Sequence, residues 1–346
     1  VNVVHLEDEP WDSGLAHYAL TLAAEQLARG HAVAFWGRKG SPVLAQAQEL
    51  GLPFRGYQNP WLELPALRRA LAEFKPRVLN AHTGSAHALA LALAPRGASV
   101  VRTRGDARAP QGGLLARLAA GRTAAFIAAN SELQKQLEQS FPRARVRLVS
   151  QGIEGPGAAA PLPDAPLVGM LARFDPVKGH ETAIEAARLL RAKTPGVRLV
   201  CAGDGALRER LGWQLKPMGL EGLVAFPGRV PDKWAFMAGC RVGIVPSLGS
   251  EAVSRAALEW MAAGRAVVAS RVGGLPDLVE HDVTGLLVAP GDPAALAAAV
   301  GALLADRARL EAFSEAARER WQRLFSPAPF YEDTQRVYDE AAAVPR

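Results

Sequence analysis

The strongest constraint in this sequence is a rhythm. Short apolar runs alternate with longer stretches of helical periodicity, and the pattern is broken once by a segment rich in proline and glycine. Residues 1–6 form an apolar run, followed by Ser13 as an N-cap. Ala16, Leu20, Ala23 and Leu27 then recur at helical spacing, and Gly30 closes the turn. Residues 31–36 form the next run. Leu64, Leu67, Leu71 and Phe74 mark an amphipathic helix that Lys75-Pro76 ends. Further strands are expected at 77–81, 99–103, 125–129 and 146–149. Residues 152–166 then carry Gly155, Pro156, Gly157, Pro161, Pro163 and Pro166 with no periodic apolar face. That composition reads as a linker. Beyond it the rhythm restarts, with strands expected at 167–172, 197–202, 223–226, 242–245, 266–269 and 286–288, and helices at 179–193 and 206–218.

Strand and helix alternating on both sides of one linker predict an α/β chain with two doubly wound parallel sheets. The expected domains are 1–154, a linker at 155–166, a second domain at 167–326, and a terminal helix at 327–346 packing back on the first. Phe330, Val337 and Tyr338 give that last segment its apolar face. The length, 346 residues, suits two domains. In such sheets ligands bind beyond the carboxyl ends of the strands, so two sheets are expected to present those edges across a cleft.

Composition excludes little else. Hydrophobic residues make up 49% and charged residues 21%, which is globular. Cys201 and Cys240 are too few for a disulfide framework and read as small core residues. No run approaches the length of a membrane span. The opening run meets acids at once, unlike a signal peptide. A cytoplasmic protein is expected, with a peripheral place on the inner face of the cytoplasmic membrane left open. The formal charge of +6 favours an anionic partner.

Several familiar signatures are missing: G-x-G-x-x-G, the P-loop, H-E-x-x-H and G-x-S-x-G. No Asp-x-Asp pair that would hold a divalent ion on a nucleotide diphosphate is seen either, so no metal site is expected. The richest segment is 242–288. There a strand ends at Pro246-Ser247 and a helix is expected to begin near Glu251. On such a helix Glu251 and Glu259 would lie about 80° apart around the axis and about 12 Å apart along it. The amides of Val253, Ser254 and Arg255 would then point out of the helix end, where an anion is favoured. Glu259 could accept hydrogen bonds from a ribose diol, and Glu251 could contact hydroxyls beyond the phosphates. The plainer alternative is that both are ordinary helix acids, with Glu251 complementing the macrodipole. Arg173 and Lys178, after the first strand of the second half, suit a diphosphate as a planar fork and a point charge.

Gly169-x-x-x-Arg173-x-x-x-x-Lys178-Gly179, Ala202-Gly203-Asp204-Gly205, Phe226-x-Gly228, Pro246-Ser247, Glu251-x7-Glu259 and Val272-Gly273-Gly274 follow one another across about 120 residues. In order and spacing this set resembles the nucleotide-sugar-binding half of the group-one retaining glycosyltransferases, the family 4-like enzymes of GT-B fold. The resemblance implies a metal-independent, retaining enzyme that needs no cofactor and takes a nucleoside-diphosphate sugar as donor. It implies that Arg173 and Lys178 hold the donor diphosphate and that Glu259 binds the ribose. Glu251 and the amides near Val253 and Ser254 would meet the donor sugar and distal phosphate, and Arg229 and Val230 would read the base by their backbone.

The first half matches less specifically. Gly14 sits where the family keeps a glycine-rich loop close to the donor phosphates, without its usual partner glycine, since Ser13 precedes it. His82 follows a strand and is read either as a catalytic group or as a structural one. Gly105 stands where many relatives have a His, so the contact to the reacting sugar passes to Arg104 or Asp106. Arg102, Arg104, Arg108, Arg117 and Arg122 gather charge on this acceptor side. An anionic, lipid-linked or small-molecule acceptor fits, of lipopolysaccharide or exopolysaccharide type, as does an anionic membrane face; so does a merely solvated basic surface. A nucleotide-sugar epimerase of the same fold and a non-catalytic nucleotide-sugar-binding protein are the competing readings. Nucleic-acid binding has no motif to support it.

Overall fold

Two parallel sheets organise the chain. The computed structural model describes residues 1–11, 13–106, 113–249 and 251–343. It divides into one unit of Val1–Gly152 with Ser326–Arg346, and a second of Ile153–Phe325.

The sheet of unit 1 contains β1 (Asn2–Glu7), β2 (Ala32–Arg38), β3 (Phe54–Tyr57), β4 (Val78–Ala81), β5 (Ser99–Arg104), β6 (Ala125–Ala128) and β7 (Val146–Leu148). Their order is β3-β2-β1-β4-β5-β6-β7, all parallel. The helices are α1 (Gly14–Ala28), α2 (Pro42–Glu49), α3 (Leu64–Phe74), α4 (Gly84–Leu93), α5 (Leu114–Gly121) and α6 (Ser131–Ser140). Side chains leave a strand alternately, and here both faces are covered. Ala34 and Trp36 of β2 join a cluster under α3 and α4, whereas Val33 and Phe35 join one under α1 and α2.

Unit 2 repeats the plan with β8 (Leu167–Leu171), β9 (Arg198–Ala202), β10 (Val224–Gly228), β11 (Val242–Val245), β12 (Val267–Ser270) and β13 (Gly285–Val288). The order is β10-β9-β8-β11-β12-β13. Its helices are α7 (His180–Arg191), α8 (Arg208–Leu215), α9 (Lys233–Ala238), α10 (Arg255–Ala262), α11 (Leu275–Leu278), α12 (Pro293–Ala305) and α13 (Arg307–Leu324). Val168 and Met170 of β8 enter one core, and Leu167 and Leu171 the other. Cys201 and Cys240 are buried free thiols. Strand order reverses between β1 and β4 in unit 1 and between β8 and β11 in unit 2. Each reversal opens a crevice at the carboxyl edge, because the loops on its two sides lead away in opposite directions.

Trp260 fixes α10 over the second crevice. Its indole is 0% exposed and lies on Gly169 of β8 and Gly243 of β11. A Cβ at those glycines would come within 2.4 and 2.3 Å of the ring.

One feature differs from the sequence reading. Residues 155–166 lie with unit 2, held by arginines. Arg265, 1% exposed, donates to Ala160 O at 2.9 Å and Pro161 O at 3.1 Å, and Arg318 donates to Pro156 O and Gly157 O, each at 3.1 Å. A proline-rich stretch has no ladder to join, so its carbonyls are satisfied by side chains. The chain then returns to unit 1 as α14 (Pro327–Ala342), where Phe330 meets Tyr18 of α1 edge-on at 4.7 Å and Tyr338 accepts from Asn80 Nδ2 at 2.7 Å. Among the described residues no helix is long and apolar enough to cross a membrane.

Candidate functional site

The crevice of unit 2 is built by the loops after β8 and β11. The β8 loop turns at Pro176–Lys178 and enters α7 through Gly179. Gly179 has φ +74°, and a Cβ there would lie 2.0 Å from Pro246 O, so only glycine lets these loops meet. Leu248 N donates to Val177 O at 2.7 Å and completes the contact. The two loops thereby bring a cation to an acid. Lys178 Nζ donates to Glu251 Oε1 at 2.5 Å, and Ser247 Oγ donates to the same oxygen at 2.6 Å. Glu251 is 2% exposed, while the Lys178 side chain keeps 23% of its surface open. A third loop, after β12, closes on the acid from behind: Gly274 N donates to Glu251 O at 2.7 Å. Gly273, at φ +53°, allows this, since its Cβ would fall 2.5 Å from Glu251 O.

That grip corrects the expected start of the helix. α10 begins at Arg255 with Ser254 as N-cap, about one turn later than the sequence reading placed it. Glu251 and Val253 therefore precede the helix, and the expected angular relation between Glu251 and Glu259 does not hold. The amides left without a helical acceptor run from Ser254 to Ala257. Ser254 Oγ is buried and has no partner, so the helix mouth retains an unused polar atom. Val253 is half-buried beside it.

Glu259, on the second turn of α10, is 6% exposed. It accepts from Lys233 Nζ at 2.6 Å and from Arg255 Nη2 at 3.4 Å. Lys233 was not foreseen. It opens α9, which Asp232 caps, and its ammonium lies 4.7 Å from the centre of the Trp234 ring. The capping pattern Asp232-Lys233-Trp234-Ala235 is legible as a helix start, but the pairing with Glu259, 26 residues away, is not. Arg173 is apart from these groups, its side chain 71% exposed and paired with Asp175 at 2.9 Å. Arg229 is exposed and Val230 half-buried after β10. Behind the β8 loop, His180 stacks on Phe174 at 4.1 Å. Burial, with Lys178 nearby, pushes its pKa down to about 4.

In unit 1 the loops after β1 and β4 meet in the same way. Asp8 accepts from Thr83 Oγ1 and, at 2.9 Å, from Ser85 Oγ. Gly14 opens α1 behind Ser13, whose hydroxyl caps Ala16 N at 3.0 Å and also donates to Glu9. Asp106 pairs with Arg104, and with Arg102 at 3.6 Å. Arg108 lies outside the described residues. The catalytic reading of His82 meets a correction. The ring is 0% exposed, and its Nε2 lies 3.0 Å from Nδ1 of His5, which in turn meets Gln26 at 2.8 Å. Burial holds its pKa well below the usual histidine range, with His5 and Arg102 adding to the effect. The ring lies just past the end of β4, and a buried histidine partner holds it there. Among the described residues no three His, Cys, Asp or Glu side chains are placed to hold a metal ion.

Residues 158–320 match the family model described as Glycosyl transferases group 1, and residues 13–154 match Glycosyltransferase Family 4. The chain belongs to the group 1, family 4-like glycosyltransferases. Relatives include the D-inositol 3-phosphate glycosyltransferase of Acidothermus cellulolyticus, 36% identical over 203 residues, or 51% of this chain and 45% of that protein. The lipopolysaccharide core biosynthesis glycosyltransferase LpsE of Rhizobium meliloti is 33% identical over 156 residues, 45% of this chain and 44% of that protein. The chain thus matches less than half the length of these two relatives. Among solved structures, HepE of Anabaena in complex with UDP superposes with a TM-score of 0.82 at 20% identity, covering 98% of this chain and 100% of that one. A glycosyltransferase of Rickettsia africae reaches 0.85 at 15% identity, covering 99% and 98%. The fold is GT-B, and the crevice described above lies in the half matched by the group 1 model.

Proposed function

We propose that this glycosyltransferase moves a sugar from a nucleoside-diphosphate sugar to an acceptor, with retention at the anomeric carbon and without a metal ion. The observation that carries the reading is the Lys178–Glu251 contact at the strand-order reversal of unit 2, beside the mouth of α10. Breaking the anomeric C–O bond leaves its electron pair on the diphosphate. The developing anion would be met by the Lys178 ammonium and the amides from Ser254 to Ala257, groups already in place and largely shielded from water, and by the exposed Arg173 guanidinium once it leaves Asp175. The acceptor oxygen would bond to the same face of the sugar, its proton passing to the departing phosphate oxygen. Glu259, now held by Lys233 and Arg255, would exchange those partners for a ribose diol. Arg229 and Val230 would border the base.

On the acceptor side, Asp106 is the group we assign to the reacting hydroxyl, while Gly14 is assigned to the donor phosphates. His82, 0% exposed and paired with His5, would support the packing of β1 against β4 rather than touch the substrate. HepE of Anabaena is seen with UDP and UDP-glucose, and a relative in Mycobacterium tuberculosis is named as GDP-mannose-dependent. Both names support a nucleotide-sugar donor. The LpsE relative and an amylovoran biosynthesis glycosyltransferase of Erwinia amylovora support an envelope glycan or glycolipid acceptor. On that reading we place the acceptor at the inner face of the cytoplasmic membrane. Lys178→Ala is expected to lower turnover by about tenfold or more through loss of leaving-group stabilisation. Near-native transfer by that variant would overturn the assignment.

A further inference from the structure

One helix of unit 1 is amphipathic in the reverse sense. α5 reads Leu-Leu-Ala-Arg-Leu-Ala-Ala-Gly from Leu114 to Gly121. At about 100° per residue, Leu114, Leu115 and Leu118 share one side of the helix and Ala116, Ala119 and Ala120 share the other. The alanines face the protein: Ala120 is 8% exposed, and Ala116 and Ala119 are half-buried. The leucines face water, exposed by 75, 82 and 59%. The helix is nonetheless anchored. Just past its end, Arg122 Nη2 donates to Leu91 O of α4 at 3.2 Å, and Thr123 Oγ1 lies 2.8 Å from Nε2 of His87 on α4. Small residues and polar contacts hold it, while most of the surface of its three large apolar side chains stays in water.

An apolar row left in water points to an external occupant, and the surrounding charge selects which kind. Arg117 is exposed beside the row and Arg122 at its end. From residue 107 to residue 131 the sequence contains no acid. Trp61 and Leu62, 53 and 80% exposed, stand between β3 and α3, beyond the carboxyl end of β3. Leucines interleaved with arginine, without acids, suit the boundary between acyl chains and anionic headgroups. The leucines enter the apolar layer while guanidinium groups meet lipid phosphate.

We propose that α5 docks unit 1 onto an anionic bilayer through Leu114, Leu115 and Leu118, with Arg117 and Arg122 meeting lipid phosphates. The proposal rests on the membrane-held acceptor of the proposed function and names the surface that reaches it. The full chain is sedimented with vesicles of phosphatidylcholine alone or mixed with phosphatidylglycerol. Alongside it runs a variant carrying Leu114→Gln, Leu115→Gln and Leu118→Gln, with circular dichroism and UDP titration run on both proteins. Binding to the mixed vesicles only is expected, and the variant should lose it by about tenfold or more with its fold unchanged. A parent that stays in solution with the mixed vesicles, or a variant that pellets equally well, overturns the proposal. So does light scattering that finds a dimeric parent and a monomeric variant, since the row would then be a self-association surface. UDP titration in the same samples reports on the donor reading separately, because the vesicles carry no acceptor.

Discussion

Glu7, at the end of β1, is 0% exposed; one carboxylate oxygen accepts from Glu9 N at 2.9 Å and the other has no partner. Burial pushes its pKa up to about 8, against an ordinary value of 4.5, with Glu9 and Asp8 adding repulsion. The folded state then holds a proton that the unfolded chain releases above pH 4.5. This contribution to stability is full below 4.5 and is lost as pH rises through 8. His5 behaves oppositely. Burial pushes it down to about 4, so its contribution is full above 6.5 and fades as pH falls towards 4. Glu7→Gln keeps the shape and removes the ionisation. In thermal melts its advantage over the parent should grow from pH 4.5 to pH 8, whereas an advantage that does not change with pH would contradict the buried, protonated carboxyl.

At the scale of elements, α14 is the least local feature of unit 1. Phe330, Val337, Tyr338 and Ala341 are buried in it, and Ser99 Oγ donates to Ala341 O at 2.9 Å. Ending the chain after Phe325 would uncover Tyr18 and leave Asn80 Nδ2 without its acceptor. A loss of several kcal/mol, about 3 of them from the Phe330 contact alone, is expected in denaturant melts of unit 1. An unchanged midpoint would show that α14 does not support the sheet. Most strands were legible because both faces are buried and each reads as a continuous apolar run. β3 was not, since Phe54-Arg55-Gly56-Tyr57 is a short edge strand with only Tyr57 buried. The start of α10 was misjudged for a different reason. A backbone bond from Gly274, 23 positions on, holds Glu251 outside the helix, and local periodicity carries no trace of it. The linker reading of residues 155–166 was right about their lack of periodicity and blind to Arg265, which donates to Ala160 O and Pro161 O while its other bonds to carbonyl oxygens fix it in unit 2.

At the scale of the whole molecule, the two halves differ in how much chemistry their sequences disclose. In unit 2 the cations, acids and glycines after β8, β11 and β12 form one ordered set, and Lys178, Ser247 and Glu251 converge as physical contacts. In unit 1 the groups at the ends of β1, β4 and β5, from Glu7, Asp8 and Glu9 to the paired Arg104 and Asp106, form no ordered motif in the sequence, so acceptor chemistry was far less legible. A formal charge of +6 agrees with anionic ligands for both halves. The central claim is that the Lys178 crevice grips a nucleoside diphosphate without a divalent ion. Calorimetric titration of UDP, GDP and ADP into the full chain, in buffer holding a chelator, tests it most directly. The account predicts that at least one binds and that Lys178→Ala weakens it by about tenfold or more. Silence from all three, or equal affinity in the variant, would contradict it.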